Sequence, residues 1–202
     1  MRLILATHNP DKRKELEAIL RAEMDSTVEI LTLDDIPVGE IEETGETLED
    51  NALLKARAVF EETGIPAVAD DTGLEVKALG GAPGVYSARY AGEGATYEAN
   101  VRKLLQELGG TEERQASFIS VIAFCEIEKE AQIFRGEVHG KIAYEPRGTN
   151  GFGYDPVFIP GEPGDRTYAE LSPEEKNENS HRGKAMRLFA KFLHSQLVVE
   201  QH

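Results

Sequence analysis

Tryptophan is absent from this chain, cysteine occurs once and methionine three times. A single thiol excludes an internal disulfide. Cys125 also lies inside the apolar run Ser117 to Ile127, so a buried, inert thiol in a reducing compartment is expected. No apolar run approaches the length needed to span a bilayer. Met1 to Leu5 is too short for a signal h-region and leads straight into His8-Asn9-Pro10, so a soluble, cytoplasmic protein is expected. Positive charge is scarce too: 22 Lys and Arg face 37 Asp and Glu, a net charge of −15. That field opposes non-specific binding to nucleic acid or to an anionic membrane, so neither is expected as a partner. A nucleotide ligand would need a local basic pocket or a metal ion to overcome it.

Glycine, in contrast, is plentiful at 19 residues, which suits tight turns and close backbone approaches. The 202 residues suffice for one large domain or two closely packed lobes, and no repeat, low-complexity linker or domain boundary is visible. Leu3 to Ala6 reads as a buried strand, followed by a helix capped by Asn9 with Pro10 in its first position. Leu16, Ile19 and Leu20 form the stripe of that helix. Val28 to Leu33 is a second strand. Thr47 to Asp50 resembles a capping box with Asp at its last position, opening a helix that carries Ala52, Ala56, Val59 and Phe60. Pro66 to Ala69 is a short apolar strand ending in Asp70-Asp71. Thr96 caps a helix with Val101, Leu104, Leu105 and Leu108. Ala116 to Ile127 and Ala131 to Val138 read as a hairpin around Glu128 to Glu130, and Pro156 to Ile159 as a further strand. Ser172-Pro173 and Ser180 cap two more helices, the last carrying Ala185, Leu188, Phe189 and Phe192. Early alternation of strand and helix with an antiparallel pair in the middle predicts an α/β protein with a mixed sheet.

Five groups of residues could carry chemistry, and each has a plain structural reading beside the functional one. Thr7-His8-Asn9-Pro10-Asp11-Lys12 stands at a helix N-terminus, where free N–H groups and the dipole attract anions; a capped helix with a solvated lysine is the alternative. Asn51 and Lys55 lie one turn apart on one helix flank and could point an amide and an ammonium at a polyphosphate, or form an ordinary amphipathic flank. Asp70-Asp71-Thr72-Gly73 offers hard oxygen ligands suited to Mg²⁺ and a carboxylate able to accept a proton from water. A turn with local aspartate bonding is the other reading there, and the apolar lead-in favours function. Glu42-Glu43-Thr44-Gly45 and Asp50 are further possible ligands. Gly151-Phe152-Gly153-Tyr154-Asp155-Pro156 holds an aromatic between glycines, either open for a base to stack on or tucked into the core. Lys176 with Ser180-His181-Arg182-Gly183-Lys184 offers donors for phosphates or for carbonyl oxygens of a base, or a surface cap.

Taken together and in this order, these segments resemble the non-canonical purine nucleoside-triphosphate pyrophosphatases, the inosine triphosphatase-like family. The matching text also includes Ala78 to Tyr90 and Glu170-Leu171, and it covers nearly the whole chain. The resemblance implies one inosine triphosphatase-like domain over residues 1–202, with two lobes around a nucleotide-binding cleft. It implies hydrolysis of ITP, dITP and XTP to the monophosphate and pyrophosphate, Mg²⁺ as cofactor, and a homodimer. Thr7, His8, Asn9, Pro10, Asp11, Lys12, Lys55 and Lys176 would hold the triphosphate, and Thr72 would touch substrate. Asp71 would be general base and metal ligand, with Glu42 as second metal residue. Phe152, Gly153, Tyr154 and Asp155, with His181 and Arg182, would form the base pocket. Two positions depart from the family pattern: Asp50 where Glu is usual, and Thr72 where Ser is frequent. The rival readings are a catalytically silent nucleotide sensor on the same fold and a pyrophosphatase for modified pyrimidine nucleotides. The carboxylates Asp70, Asp71 and Glu42 favour catalysis over the sensor.

Overall fold

Leu3, Ile4 and Leu5 are fully buried, and a continuous apolar strand of this kind belongs inside a sheet with both edges paired. Strand β1 (Arg2–Leu5) lies parallel to β2 (Glu29–Thr32) on one side and to β3 (Ala67–Val76) on the other. The computed structural model describes residues 1–24, 28–161 and 164–199, with only the backbone of 198 and 199. β4 (Pro83–Gly84) pairs antiparallel with β3. β5 (Gln115–Cys125) and β6 (Gln132–Ile142) form the expected hairpin, with Glu128 at φ 57° in its turn, and β7 (Phe158–Pro160) runs antiparallel to β6. The sheet order is β2-β1-β3-β5-β6-β7, a mixed sheet as expected. Among the described residues, no helix is long and apolar enough to cross a membrane.

The chain divides into two compact units. Unit 1 is residues 1–71, 120–136 and 182–202; unit 2 is residues 72–119 and 137–181. The chain passes from one to the other inside β3, β5 and β6 and at the start of the last helix, so no linker exists for composition to reveal.

In unit 1, α1 (Pro10–Glu23) starts as expected: Asn9 accepts from the N–H groups of Asp11 and Lys12, with Pro10 in the first position. Its Leu16, Ile19 and Leu20 join Leu3, Leu5, Val68, Ile122 and Phe124 in one core. α2 (Leu48–Thr63) is capped by Thr47, which accepts from Asp50 N. Asp50 does not close the capping box. Its shorter side chain accepts from the Thr47 hydroxyl at 2.7 Å. α5 (His181–Val199) contributes Ala185, Met186, Phe189, Ala190 and Leu193 to the core, whereas Leu188 of the expected stripe is 47% exposed. Unit 2 packs α3 (Tyr97–Leu108), capped by Thr96, through Val101, Leu104 and Leu108 against Leu74, Val76, Phe118, Phe158 and Tyr168. α4 (Pro173–Asn179) opens with a complete Ser172–Glu175 capping box.

One correction governs the site. Asp70 and Asp71 do not end a strand; β3 continues through both to Val76, and both are buried. Successive side chains of a strand point to opposite faces, so the two carboxylates need separate partners. Asp70 takes Arg182 of α5, whose Nε and Nη2 lie 3.2 and 3.1 Å from its Oδ2. The Arg182 side chain is 2% exposed and that of Asp70 0%. Arg182 Nη1 donates to Glu15 of α1. Burial alone would lower the Arg182 pKa, but the carboxylates of Asp70 and Glu15 outweigh it and hold the guanidinium above its ordinary value. Removing one member of a buried pair leaves an uncompensated charge. Arg182→Ala is therefore expected to lower unfolding free energy by about 3–5 kcal/mol, read as a lower urea midpoint with unchanged slope. A midpoint equal to wild type would show that the pair does not hold unit 1 together.

Candidate functional site

The polar residues of unit 1 gather where β1 gives way to α1 and around the middle of β3. After β1 the chain turns through Thr7, whose hydroxyl accepts from Asn9 N at 3.2 Å, and His8 Nε2 stands 3.4 Å from Gly39 O. Pro10 and Asp11 then begin the helix, one turn of which brings Lys12 Nζ to 3.4 Å from Asp70 Oδ1. On the other carboxylate, Lys55 of α2 stands 3.1 Å from Asp71 Oδ1 and 2.6 Å from Glu43 Oε1. Burial raises the Asp71 pKa above the ordinary aspartate range. Lys55 and Lys12 oppose that shift, while Glu43 and Asp70 add to it. For Lys55, burial works against the charged form, but Asp71, Glu43 and Asp70 together hold its pKa above the usual lysine value.

These groups test the fit of a metal ion. Among the described residues no three His, Cys, Asp or Glu side chains form a ligand set, so a resident ion held by protein alone has no cage. Mg²⁺ asks for less: one or two carboxylates, with phosphate oxygens and water completing its shell. Asp71 and Glu43 supply that much, meeting at one ammonium and carrying more negative than positive charge between them. The donor set fits an ion that arrives with a polyphosphate. Glu42, the residue expected at the metal, is exposed, and it is its neighbour Glu43 that reaches Lys55. Asn51 also departs from expectation. It is fully buried, and its Oδ1 accepts from Gly45 N at 2.7 Å instead of facing solvent beside Lys55.

Unit 2 holds the other expected residues. Gly151 has φ +70°, and a Cβ there would meet Asp155 Oδ2 at 2.0 Å, so only glycine fits this turn. Asp155 accepts from Phe152 N at 2.8 Å and from the buried Lys176 ammonium. That ammonium also stands 4.8 Å over the Phe152 ring, which is half-buried and lies 5.8 Å from the Tyr97 ring. Lys176 thus serves the Phe152 turn. Gly153 has φ +61°, and Tyr154 is buried, its hydroxyl donating to Ser87 O at 2.9 Å. Thr72 is half-buried in β3. His181 is buried flat against Phe118, with centroids 4.2 Å apart and planes 2° from parallel. The expected His181–Arg182 pair therefore divides. His181 joins the aromatic stack of unit 2, and Arg182 turns to carboxylates in unit 1.

Sequence reasoning missed Glu15 and Phe118. Glu15 had a signal, since it stands three residues, about one turn, after Lys12 on the same face; Phe118 had none beyond its place in an apolar strand. A groove of about 800 Å³ in unit 2, lined by Arg114, Lys141, Tyr144 and Arg147 among others, contains none of the expected site residues. Its cations are engaged: Arg114 on the carbonyls of Ile142 and Ala143, Lys141 on Asp165, Arg147 on Glu170.

The model of the Ham1 family matches residues 3–192. A dITP/XTP pyrophosphatase of Geobacter sulfurreducens is 51% identical over 190 residues, covering 93% of this chain and 94% of its own. One of Desulfotalea psychrophila is 51% identical over 185 residues, covering 91% of this chain and 81% of its own. The solved Ham1 protein of Coxiella burnetii superposes with a TM-score of 0.87 at 43% identity, over 96% of this chain and 99% of that one. The Ham1 protein of Staphylococcus aureus gives 0.85 at 41%, over 97% and 100%. The chain belongs to the Ham1 family.

Proposed function

We propose that this protein hydrolyses dITP, ITP and XTP to the monophosphate and pyrophosphate, and so removes non-canonical purines from the nucleotide pool. The observation that carries the reading is the buried Asp71, set beside Lys55 and Glu43 in a chain whose relatives are named for this activity. Asp71 accepts a proton from the attacking water. The water oxygen bonds to the α-phosphorus, the bond to the bridging oxygen breaks, and pyrophosphate leaves with that electron pair. Lys12 and Lys55 meet the phosphates, at the positive end of the α1 dipole. Mg²⁺, held by Asp71 with Glu43 or Glu42, supplies charge neutralisation of the polyphosphate and of the leaving pyrophosphate. Phe152 offers the base a face, and His181 a donor. A cytoplasmic homodimer without nucleic-acid or membrane partners completes the reading. The lone buried Cys125 suits a reducing compartment and the charge of −15 opposes nucleic acid and anionic membranes, while the homodimer follows from the family resemblance alone. A silent nucleotide sensor would have no use for so costly a buried carboxylate as Asp71.

Three outcomes test this. The first products from XTP and dITP are the monophosphate and pyrophosphate, resolved by ion-exchange chromatography in an assay free of other pyrophosphatases; diphosphate and orthophosphate as first products would refute the reaction. Asp71→Asn lowers kcat by ~10²–10⁴-fold and leaves the circular-dichroism spectrum unchanged; wild-type turnover would remove Asp71 from the chemistry. ATP is a poor substrate, because its C6 amino group would face donors that suit the C6 oxygen of hypoxanthine and xanthine. One such mismatch is worth about 1–3 kcal/mol, so kcat/KM for ATP is expected to fall below that for ITP by roughly 5- to 150-fold. Equal values would show that the base is not read at C6.

A further inference from the structure

Asn51 stands one turn before Lys55 on α2, and the pyrophosphatase reading gives it no task. It is 0% exposed. Its Oδ1 accepts from Gly45 N at 2.7 Å, which fixes the orientation of the amide. Its Nδ2 is buried and has no hydrogen-bond partner among the described residues. An open buried donor is a standing cost that an apolar side chain of the same size would not carry. Gly45 completes the contact. A Cβ there would lie 2.6 Å from Asn51 Oδ1, 2.7 Å from Asp50 Cβ and 2.9 Å from Asn51 N. The backbone can come this close only as glycine. Between β2 and α2 the chain has neither helix nor strand, so no ladder sets the position of Glu42 and Glu43. Yet Glu43 Oε1 stands 2.6 Å from Lys55 Nζ, itself 3.1 Å from Asp71 Oδ1.

We propose that Asn51 and Gly45 form a clip that holds the acidic segment Glu42–Gly45 against α2, so that its carboxylate meets the Asp71–Lys55 pair and completes the cation-binding set there. Asn51 is a positioning residue. It acts through Gly45 and Glu43 and touches no reacting atom. The proposal rests on the pyrophosphatase reading, and it explains why an amide is kept where leucine would pack with fewer unmet bonds.

The test compares wild type, Asn51→Leu, Gly45→Ala and the double variant. Mn²⁺ binding is measured by electron paramagnetic resonance with a non-hydrolysable dITP analogue bound, beside thermal melts and Mg²⁺-dependence of turnover. Groups that orient metal ligands typically change metal affinity by about 10–100-fold, so each single variant is expected to weaken Mn²⁺ binding by about tenfold or more. Each also raises the Mg²⁺ needed for half-maximal rate, keeps kcat near wild type at saturating Mg²⁺, and melts within a few degrees of wild type. The double variant binds Mn²⁺ no more weakly than the worse single, because both break one device. Mn²⁺ affinity unchanged in both singles, or fully additive losses, would overturn the clip while leaving the pyrophosphatase reading intact. A wild-type protein on which the analogue-bound Mn²⁺ gives the same spectrum and affinity as the Mn²⁺–analogue complex free in solution would overturn the metal role of Asp71 and the clip with it.

Discussion

Two consecutive carboxylates inside a buried strand are the constraint on which unit 1 depends. Neither Asp70 nor Asp71 can be left alone in a low-dielectric interior, and strand geometry sends them to opposite faces. Their cations come from three helices: Lys12 from α1, Lys55 from α2 and Arg182 from α5. The apolar stripes of these helices supply the bulk of the stabilisation, but burial is non-directional. The charge pairs are directional, and they tie each helix to one point on β3.

The same arrangement explains how a chain of charge −15 can receive a polyanion. In unit 1 the lysines are already engaged by carboxylates, and Asp71 sits above its ordinary pKa because burial outweighs Lys55 and Lys12. An incoming triphosphate competes with Asp70, Asp71 and Glu43 for those ammoniums. On the proposed reading a divalent cation arriving with the phosphates would relieve the competition, giving the carboxylates a new partner and leaving the lysines to the phosphates.

Local signals were the legible ones. Asn9-Pro10, Thr47, Thr96 and Ser172 each cap the helix that their residue types announced, because a cap is decided within a few residues. The continuation of β3 through Asp-Asp-Thr-Gly was not legible. Aspartate and glycine are poor strand formers, and pairing with neighbours in the sheet overrides that preference. That Glu43 and not Glu42 reaches Lys55 turns on which side of an irregular segment faces α2, which the residue types Glu-Glu do not announce. His181 and Arg182 are neighbours at a helix start, where one step turns a side chain by about 100°, so adjacency promised a pair that geometry separates. The resemblance implied two lobes, but the boundary between the two units was not legible for a similar reason: the chain changes unit inside secondary structure, where composition does not change.

Unit 2 repeats the device on a smaller scale. Asp155 is buried, takes the ammonium of Lys176, and uses the same carboxylate to hold the N–H of Phe152 in a turn that only glycine at position 151 can make. In both units a buried aspartate with its own lysine stands at a place where backbone position matters more than packing. Buried ion pairs are poor sources of stability, and well-packed apolar replacements often stabilise a fold. In a protein whose net stability is about 5–15 kcal/mol, keeping several such pairs is a burden that packing alone would not select. They sit instead at Asp71, the proposed general base, and behind the Phe152 ring, the proposed platform for the base. On the proposed reading the pairs of unit 1 include the carboxylates that would meet the cation, whereas in unit 2 the pair stands behind the Phe152 ring, so exchange of partners on binding would belong to the first and rigidity to the second.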